Sequence, residues 1–185
     1  KSLIPFLLTF FLVVTLKSFS SAANVMVQDL SCEMLKNPVG IDTKKPRFSW
    51  KLTSNERGVV QTSYHIIVSS SIEKLNRNEG DLWNSGIVDS DQSVFVEYAG
   101  QRLKSKMECY WKVKIWTNKG ECDWSEPANW SMGLLNYNDW RGRWIGFDRP
   151  FPWDNDGFHS RLSARYFRKE FELNNPIKKA KVYII

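Results

Sequence analysis

The chain has 185 residues, a formal net charge of +6 and 25% charged residues, which is typical of a soluble globular protein with room for one complete domain and part of another. Aromatic residues make up 14% of the sequence and include nine tryptophans, a content that argues against a disordered chain and favours aromatic-rich strands. The basic residues coincide with no recognisable nucleic-acid module, so we expect no nucleic-acid partner.

The first 23 residues have the pattern of an export signal. Lys1 precedes a 14-residue apolar run from Leu3 to Leu16, which is too short for a membrane span but has the length of a secretory signal. The small residues that follow, Ser21 to Ala23, predict cleavage before Asn24. The sequence therefore predicts a secreted or periplasmic protein with no membrane span after cleavage.

From residue 24 to residue 134 the dominant pattern is alternation of apolar and polar residues, as in half-buried strands. We expect about seven short strands and no long helix, with one or two helical turns within residues 72–79. This arrangement favours an all-β fold, an antiparallel sandwich of two sheets. The residues predicted to face its core are Leu30, Cys32 and Met34; Phe48, Trp50 and Leu52; Tyr64, Ile66 and Val68; Val94, Val96 and Tyr98; and Cys109, Trp111, Val113 and Ile115.

The character of the chain changes after Leu134. A polar connector and a loop rich in proline, aspartate and glycine lead to two segments with strand-like patterns, residues 165–173 and 180–185. The second segment stops abruptly, so we expect a sequence that is cut short. Residues 135–185 are thus predicted to be a linker and the first strands of a second, truncated β-sandwich.

The end of the first domain contains Leu103, the run from Cys109 to Ile115, the turn at residues 118–120 and the segment Trp124 to Pro127. Together these features resemble the last hairpin of a fibronectin type III domain. Cys109 occupies the position of the fold's corner tyrosine, so either the corner hydrogen bond is absent or Tyr110 supplies it from a shifted register. The two Trp-Ser pairs at 124–125 and 130–131 also suggest a receptor-like interaction protein, but four residues separate them instead of one.

A series of short motifs runs along the chain at residues 30–35, 37–42, 46–50, Arg57-Gly58, 61–64, 80–86, 110–113, 124–128 and 144–146. In order and approximate spacing this series resembles bacterial α-L-rhamnosidases of glycoside hydrolase family 78. The resemblance implies a fibronectin type III-like or immunoglobulin-like N-terminal domain, then a second β-sandwich related to carbohydrate-binding modules, and a catalytic (α/α)6 barrel much further along. It also implies rhamnose-containing polysaccharides or glycosides as partners of the full-length protein, which would carry its own downstream catalytic domain.

Enzymes of this family invert the anomeric configuration, with one acid that protonates the leaving oxygen and one carboxylate that activates water. The resemblance places both on the barrel, so we expect no catalytic residue here and no hydrolysis by this chain alone. The acids that stand out lie in turns, where they serve solvation: Asp42, Glu56, Asp81, Asp139 and Asp156. Arg47 could pair with an acid such as Asp42, although an exposed ion pair of that kind contributes only about 0 to 1 kcal/mol. The alternative is a stand-alone extracellular sugar-binding or adhesion module.

Other site chemistry is poorly supported by the sequence. The chain has three cysteines, so at least one of them cannot form a disulfide within the chain. The register of the hairpin does not place Cys109 opposite Cys122, and we therefore predict no structural disulfide. Only two histidines are present, His65 and His159, and no C-x-x-C spacing occurs, so we expect neither a metal nor a cofactor. Residues 154–157 resemble part of a calcium loop but lack its first and last ligands.

Each tryptophan could either pack in the core or stack on a sugar ring. Trp50 alternates with Phe48 and Leu52, which predicts a place in the core. Trp153 lies in a loop outside any alternating run, and this makes it the candidate for stacking on a sugar ring. Packing within the loop or between domains is the other interpretation of Trp153.

Overall fold

The protein is described by a computed structural model over residues 25–143, 145 and 166–184, and the chain divides into two compact units, Lys1–Arg141 and Gly142–Ile185. Nearly all regular structure described for the first unit is β-strand. Its elements are β1 (Val25–Cys32), β2 (Val39–Ile41), β3 (Arg47–Ser54), β4 (Gln61–Ser69), helix α1 (Ile72–Asn76), β5 (Trp83–Asn84), β6 (Val88–Asp89), β7 (Val96–Glu97), β8 (Glu108–Thr117), β9 (Gly120–Glu121), β10 (Ala128–Met132) and a 3₁₀ turn (Tyr137–Asp139).

The strands form two sheets. The smaller sheet has the order β1-β3-β7, and the larger has the order β2-β10-β8-β4-β5, with β6 paired to β4 and β9 paired to β8. All pairings are antiparallel except that of β2 with β10, which is parallel. This is the immunoglobulin-like or fibronectin type III-like sandwich that the sequence predicts.

The core is built around one phenylalanine. Phe48 is fully buried, and its ring centroid lies 4.4 Å from that of Trp111, 5.2 Å from Trp130, 6.1 Å from Trp83 and 6.4 Å from Tyr98. These centroid distances fall in the range of favourable aromatic pairs. Because strands of both sheets contribute these rings, the aromatic cluster joins the two sheets.

Most residues predicted to face the core are buried; Leu52 is half-buried against the core, and two others are exposed. Met34 is 73% exposed and Val94 is 52% exposed. Met34 lies beyond the end of β1 with a positive φ of 64°, and Phe95, next to Val94, has a φ of 56°. A left-handed residue turns the chain out of the pleat, so the alternation of faces ends there although the sequence pattern continues.

The chain passes from one sheet to the other between β1 and β2. Asn37 with φ 48° and Gly40 with φ 82° make the bend, and Pro38 between them accepts a hydrogen bond from the Ser131 N–H at 3.0 Å. The side-chain oxygen of Asn37 accepts from the Asn129 N–H at 2.9 Å. The motif at residues 37–42 of the rhamnosidase-like series thus fastens the bend to β10.

Tyr98, and not Tyr110, takes the role of a corner tyrosine. The Tyr98 hydroxyl lies 2.9 Å from the carbonyl oxygen of Gln101 and 3.1 Å from that of Leu82, and burial raises the pKa of Tyr98. The Tyr110 hydroxyl instead lies 3.5 Å from a carboxylate oxygen of Glu108. Of the two alternatives that the sequence left open, supply of the corner bond by Tyr110 is not what the structure shows; Tyr98, between β7 and β8, makes the corner bond instead.

The salt bridge of Arg47 also differs from expectation. Its partner is Glu33 and not Asp42: the guanidinium donates to both carboxylate oxygens of Glu33, at 3.1 and 2.7 Å, and lies 4.8 Å above the ring of Phe95. The β1–β3 pairing brings Glu33 next to Arg47, whereas sequence proximity favours Asp42. An exposed pair of this kind contributes about 0 to 1 kcal/mol.

In the second unit, residues 166–184 contain no helix or strand. The strands predicted over residues 165–173 and 180–185 therefore do not form in the described part. Phe167, Phe171 and Leu173, the residues of the expected buried face, are 53%, 74% and 55% exposed. Within residues 166–184 no strand is present to take up the backbone N–H and C=O groups of an alternating pattern. Within the described ranges of the chain, no helix has the length and apolar character that a membrane span requires.

Candidate functional site

The tryptophans of the first unit separate into core and surface residues. Trp50, Trp111 and Trp130 are at most 2% exposed, which confirms the predicted place of Trp50 in the core. Trp116 and Trp124 are half-buried on the outer face of the larger sheet. These two are the candidates for contact with a ligand on that face.

Cations of the protein itself already lie against both surface tryptophans. The Lys112 ammonium is 5.1 Å from the ring centroid of Trp124, whose ring also lies 5.1 Å from that of His65. The Lys114 ammonium is 5.6 Å from the ring centroid of Trp116. Cation–π contacts of this kind are attractive but use the ring face that a sugar would need. On the outer face, the rings of Trp116 and Trp124 are thus already in contact with side chains of the protein itself.

Strand register explains why these residues meet. His65 pairs with Lys114 across β4 and β8, so alternate residues of both strands share the outer face. The segment after β9 returns along β8: the Ser125 N–H donates to the Val113 carbonyl at 2.9 Å, and the Val113 N–H donates to the Ser125 hydroxyl at 3.1 Å. Ser125 therefore holds Trp124 over the sheet, a structural role for the Trp-Ser motif. Burial also lowers the pKa of Lys112.

Trp153, the carbohydrate-binding candidate, lies outside the described residues together with Asp156 and His159, so a sugar contact by Trp153 stays a prediction. Among the residues that the structure does describe, no three or more His, Cys, Asp and Glu side chains are grouped as metal ligands would be.

Asp81 illustrates what the turn carboxylates do. It accepts hydrogen bonds from the Ser70 N–H at 2.9 Å, the Ser70 hydroxyl at 2.7 Å and the Lys74 ammonium at 2.7 Å. Burial raises the pKa of Asp81, but the bonds from Lys74 and Ser70 outweigh it, and the pKa lies below its ordinary value. A general acid needs the opposite shift. Asp81 thus anchors α1 to the loop before β5 and remains ionised at neutral pH.

The cysteines are unsuited to nucleophilic chemistry. Cys32, Cys109 and Cys122 are free thiols, and all three are buried. Burial raises the pKa of Cys32 and of Cys109 to about 12, and it also raises the pKa of Cys122. Because the thiolate is the reactive form, these thiols are inert side chains of the core at physiological pH.

One buried polar group was missed by the sequence reasoning. Gln61 is 5% exposed, accepts the indole N–H of Trp50 at 3.0 Å, and donates to the carbonyl oxygens of Ser90 and Gln92 at 3.1 and 3.0 Å. It ties β3 to the loop before β7 through the core. The sequence signal that could have indicated this role is the position of Gln61 as the first residue of the alternating strand β4, within the motif at residues 61–64.

Comparison with known proteins gives a consistent result. Residues 27–136 match the family described as "Rha78A-like, N-terminal immunoglobulin domain". An α-L-rhamnosidase of Formosa agariphila is 37% identical over an alignment of 167 residues, and the match covers 80% of this chain and 17% of that protein. The chain thus spans about a sixth of the length of the curated relatives that it matches.

Solved structures agree. The α-L-rhamnosidase from Dictyoglumus thermophilum superposes with a TM-score of 0.63 at 41% identity, over 65% of this chain and 14% of that one. The Streptomyces avermitilis α-L-rhamnosidase complexed with L-rhamnose also gives a TM-score of 0.63, at 37% identity, over 66% of this chain and 12% of that one.

Proposed function

The chain belongs to the family of Rha78A-like N-terminal immunoglobulin domains, and from this premise we propose that it is the non-catalytic N-terminal part of a secreted α-L-rhamnosidase. The full-length protein would hydrolyse terminal α-L-rhamnosyl linkages of a polysaccharide or glycoside with inversion. The observation that carries the proposal is the similarity to α-L-rhamnosidases over four-fifths of the chain but only a sixth of their length.

The chemistry of the described residues supports a structural role. An inverting glycosidase needs one carboxyl group with a raised pKa and a second carboxylate that activates water. The pKa of Asp81 lies below its usual value, and so does that of Asp139, whose carboxylate accepts from Ser105 and Asn136. Both acids serve as hydrogen-bond acceptors within turns, so the acid and base of hydrolysis belong to a further domain in this proposal.

Expression of the complete gene tests the activity. Its product should release rhamnose from an aryl α-L-rhamnoside but leave the matching aryl β-D-glucoside intact, and proton NMR of the first product should show the inverted anomer. Hydrolysis of both glycosides, or of neither, would contradict the assignment, and retention would contradict the proposed mechanism.

Export is the second part of the proposal, and it rests on the apolar run and the small residues before Asn24. N-terminal sequencing of the exported protein should give Asn24 as the first residue. A mature protein that retains Leu3 would contradict the proposed export signal.

A further inference from the structure

A pocket opens in the first unit where three segments of the chain meet. They are the loop between β2 and β3, the loop between β7 and β8, and the chain that leaves β10. The cavity measures about 400 Å³ and is large enough for one or two sugar rings. We call it the basic pocket; it is lined by Lys44, Arg102, Leu103, Lys104, Ser105, Leu135, Asn136 and Asp139.

Hydrogen bonds between the three segments fix the shape of the basic pocket. The Leu135 N–H donates to the Ser105 hydroxyl at 2.8 Å, and the Lys106 N–H donates to the Gly133 carbonyl at 3.0 Å. The Gly133 N–H in turn donates to the Ile41 carbonyl at 2.7 Å, at the end of β2. The pocket is therefore preformed, and a ligand would not have to order its walls.

The charges that line the pocket are unbalanced. Lys44, Arg102 and Lys104 are exposed, and none of their side chains has an ion-pair partner within the described part of the protein. Asp139 is the only acid in the lining, and its carboxylate already accepts from the Ser105 hydroxyl and from the backbone and side-chain nitrogens of Asn136, at 3.1 and 2.8 Å. Three cations against one occupied carboxylate leave two positive charges in excess.

We propose that the basic pocket binds the carboxylate or sulfate group of an acidic saccharide. The guanidinium of Arg102 offers paired donors that match either group, and the two lysines add point charges. Leu103 and Leu135 supply an apolar wall for the face of a sugar ring. The choice of a saccharide rests on the proposed function, in which the parent protein acts on glycans.

Isothermal titration of the complete 185-residue chain tests the proposal with three rhamnose-free trisaccharides: an oligogalacturonate, a sulfated neutral trisaccharide and the unsulfated form of the latter. At least one acidic ligand should bind at least tenfold more tightly than the neutral one, and binding should weaken as salt is added. The two acidic arms distinguish carboxylate from sulfate. Equal binding of all three ligands, or saturable binding of none, would overturn the proposal.

The double variant Arg102→Ala/Lys104→Ala should lose at least tenfold in affinity for the acidic ligand. The matched control Arg57→Ala/Lys119→Ala removes the same two residue types from exposed turns and should bind as the parent chain does. An equal loss in the control would mean that only the net charge of +6 attracts the ligand, which would refute the pocket. Since no catalysis is measured, a negative result here leaves the rhamnosidase assignment to be judged by the hydrolysis assay.

Discussion

The hydrogen bond between Trp50 and Gln61 gives a sharp test of the core. In Trp50→Phe the indole N–H is lost, and the side-chain oxygen of Gln61, a residue only 5% exposed, is left without its donor. Trp111 provides the matched control, because it is equally buried but its indole nitrogen has no hydrogen-bond partner among the described residues. Trp111→Phe therefore removes the same atoms and breaks no hydrogen bond.

The two variants should differ by the cost of one buried, unpaired acceptor, which is about 1–3 kcal/mol. The smaller phenylalanine ring packs less well than the indole at both positions, and this shared cost largely cancels in the comparison. Truncation to Trp50→Ala should cost about 3–5 kcal/mol, a large share of the roughly 5–15 kcal/mol that stabilises a domain.

Urea unfolding of the complete chain, followed by tryptophan fluorescence and far-UV circular dichroism, gives these free energies if the slopes of the transitions agree between variants. Trp50→Phe should be the less stable of the pair. Combining Trp50→Phe with Gln61→Leu should recover part of the loss, since the orphaned acceptor is then gone. Equal stability of Trp50→Phe and Trp111→Phe, or a near-neutral Trp50→Ala, would refute the packing described for this core.

Three further predictions follow from other parts of the chain. Trp153→Ala should change the free energy of unfolding by no more than about 0.5 kcal/mol, and calorimetry with a rhamnose-containing oligosaccharide should show whether it weakens binding; unchanged binding would remove Trp153 as a sugar contact. Because the pKa of Asp81 is lowered on folding, its contribution to stability is present above its unfolded pKa and lost as pH falls through the folded value. Asp81→Asn should thus be less stable than the parent at pH 7 and nearly equal to it near pH 2 in urea melts, and a constant difference at both pH values would contradict this. The thiols of Cys32 and Cys109 should resist Ellman's reagent at pH 8 until denaturant is added, whereas rapid labelling of the native chain would show that they are accessible.

The strands were predictable because alternation reports burial directly. Phe48 and Trp50 face the core as their spacing indicates, and so do the alternate β8 residues Cys109, Trp111, Val113 and Ile115. Met34 and Val94 were mispredicted because the pattern carries no information on left-handed residues that take the chain out of a strand. The sequence pattern therefore gives the faces of strands more reliably than their ends.

Pairings between distant segments were the features that the sequence predicted least well. Glu33 instead of Asp42 pairs with Arg47 because β1 lies beside β3, and Tyr98 reaches the backbone of Leu82 across a loop. Both depend on strand order, which local spacing does not contain. The basic pocket is a further example, since Lys44 lies more than fifty residues before Arg102 and Lys104 and meets them only through the fold.

The most direct test of the account is the activity of this chain by itself. Incubated at high concentration with an aryl α-L-rhamnoside, the purified 185-residue chain should release no more chromophore than buffer, while the product of the complete gene should turn the substrate over under the same conditions. Substrate-saturable hydrolysis that rises in proportion to the concentration of the 185-residue chain would contradict the account, because it would place a catalytic site within a domain to which we assign the role of a scaffold.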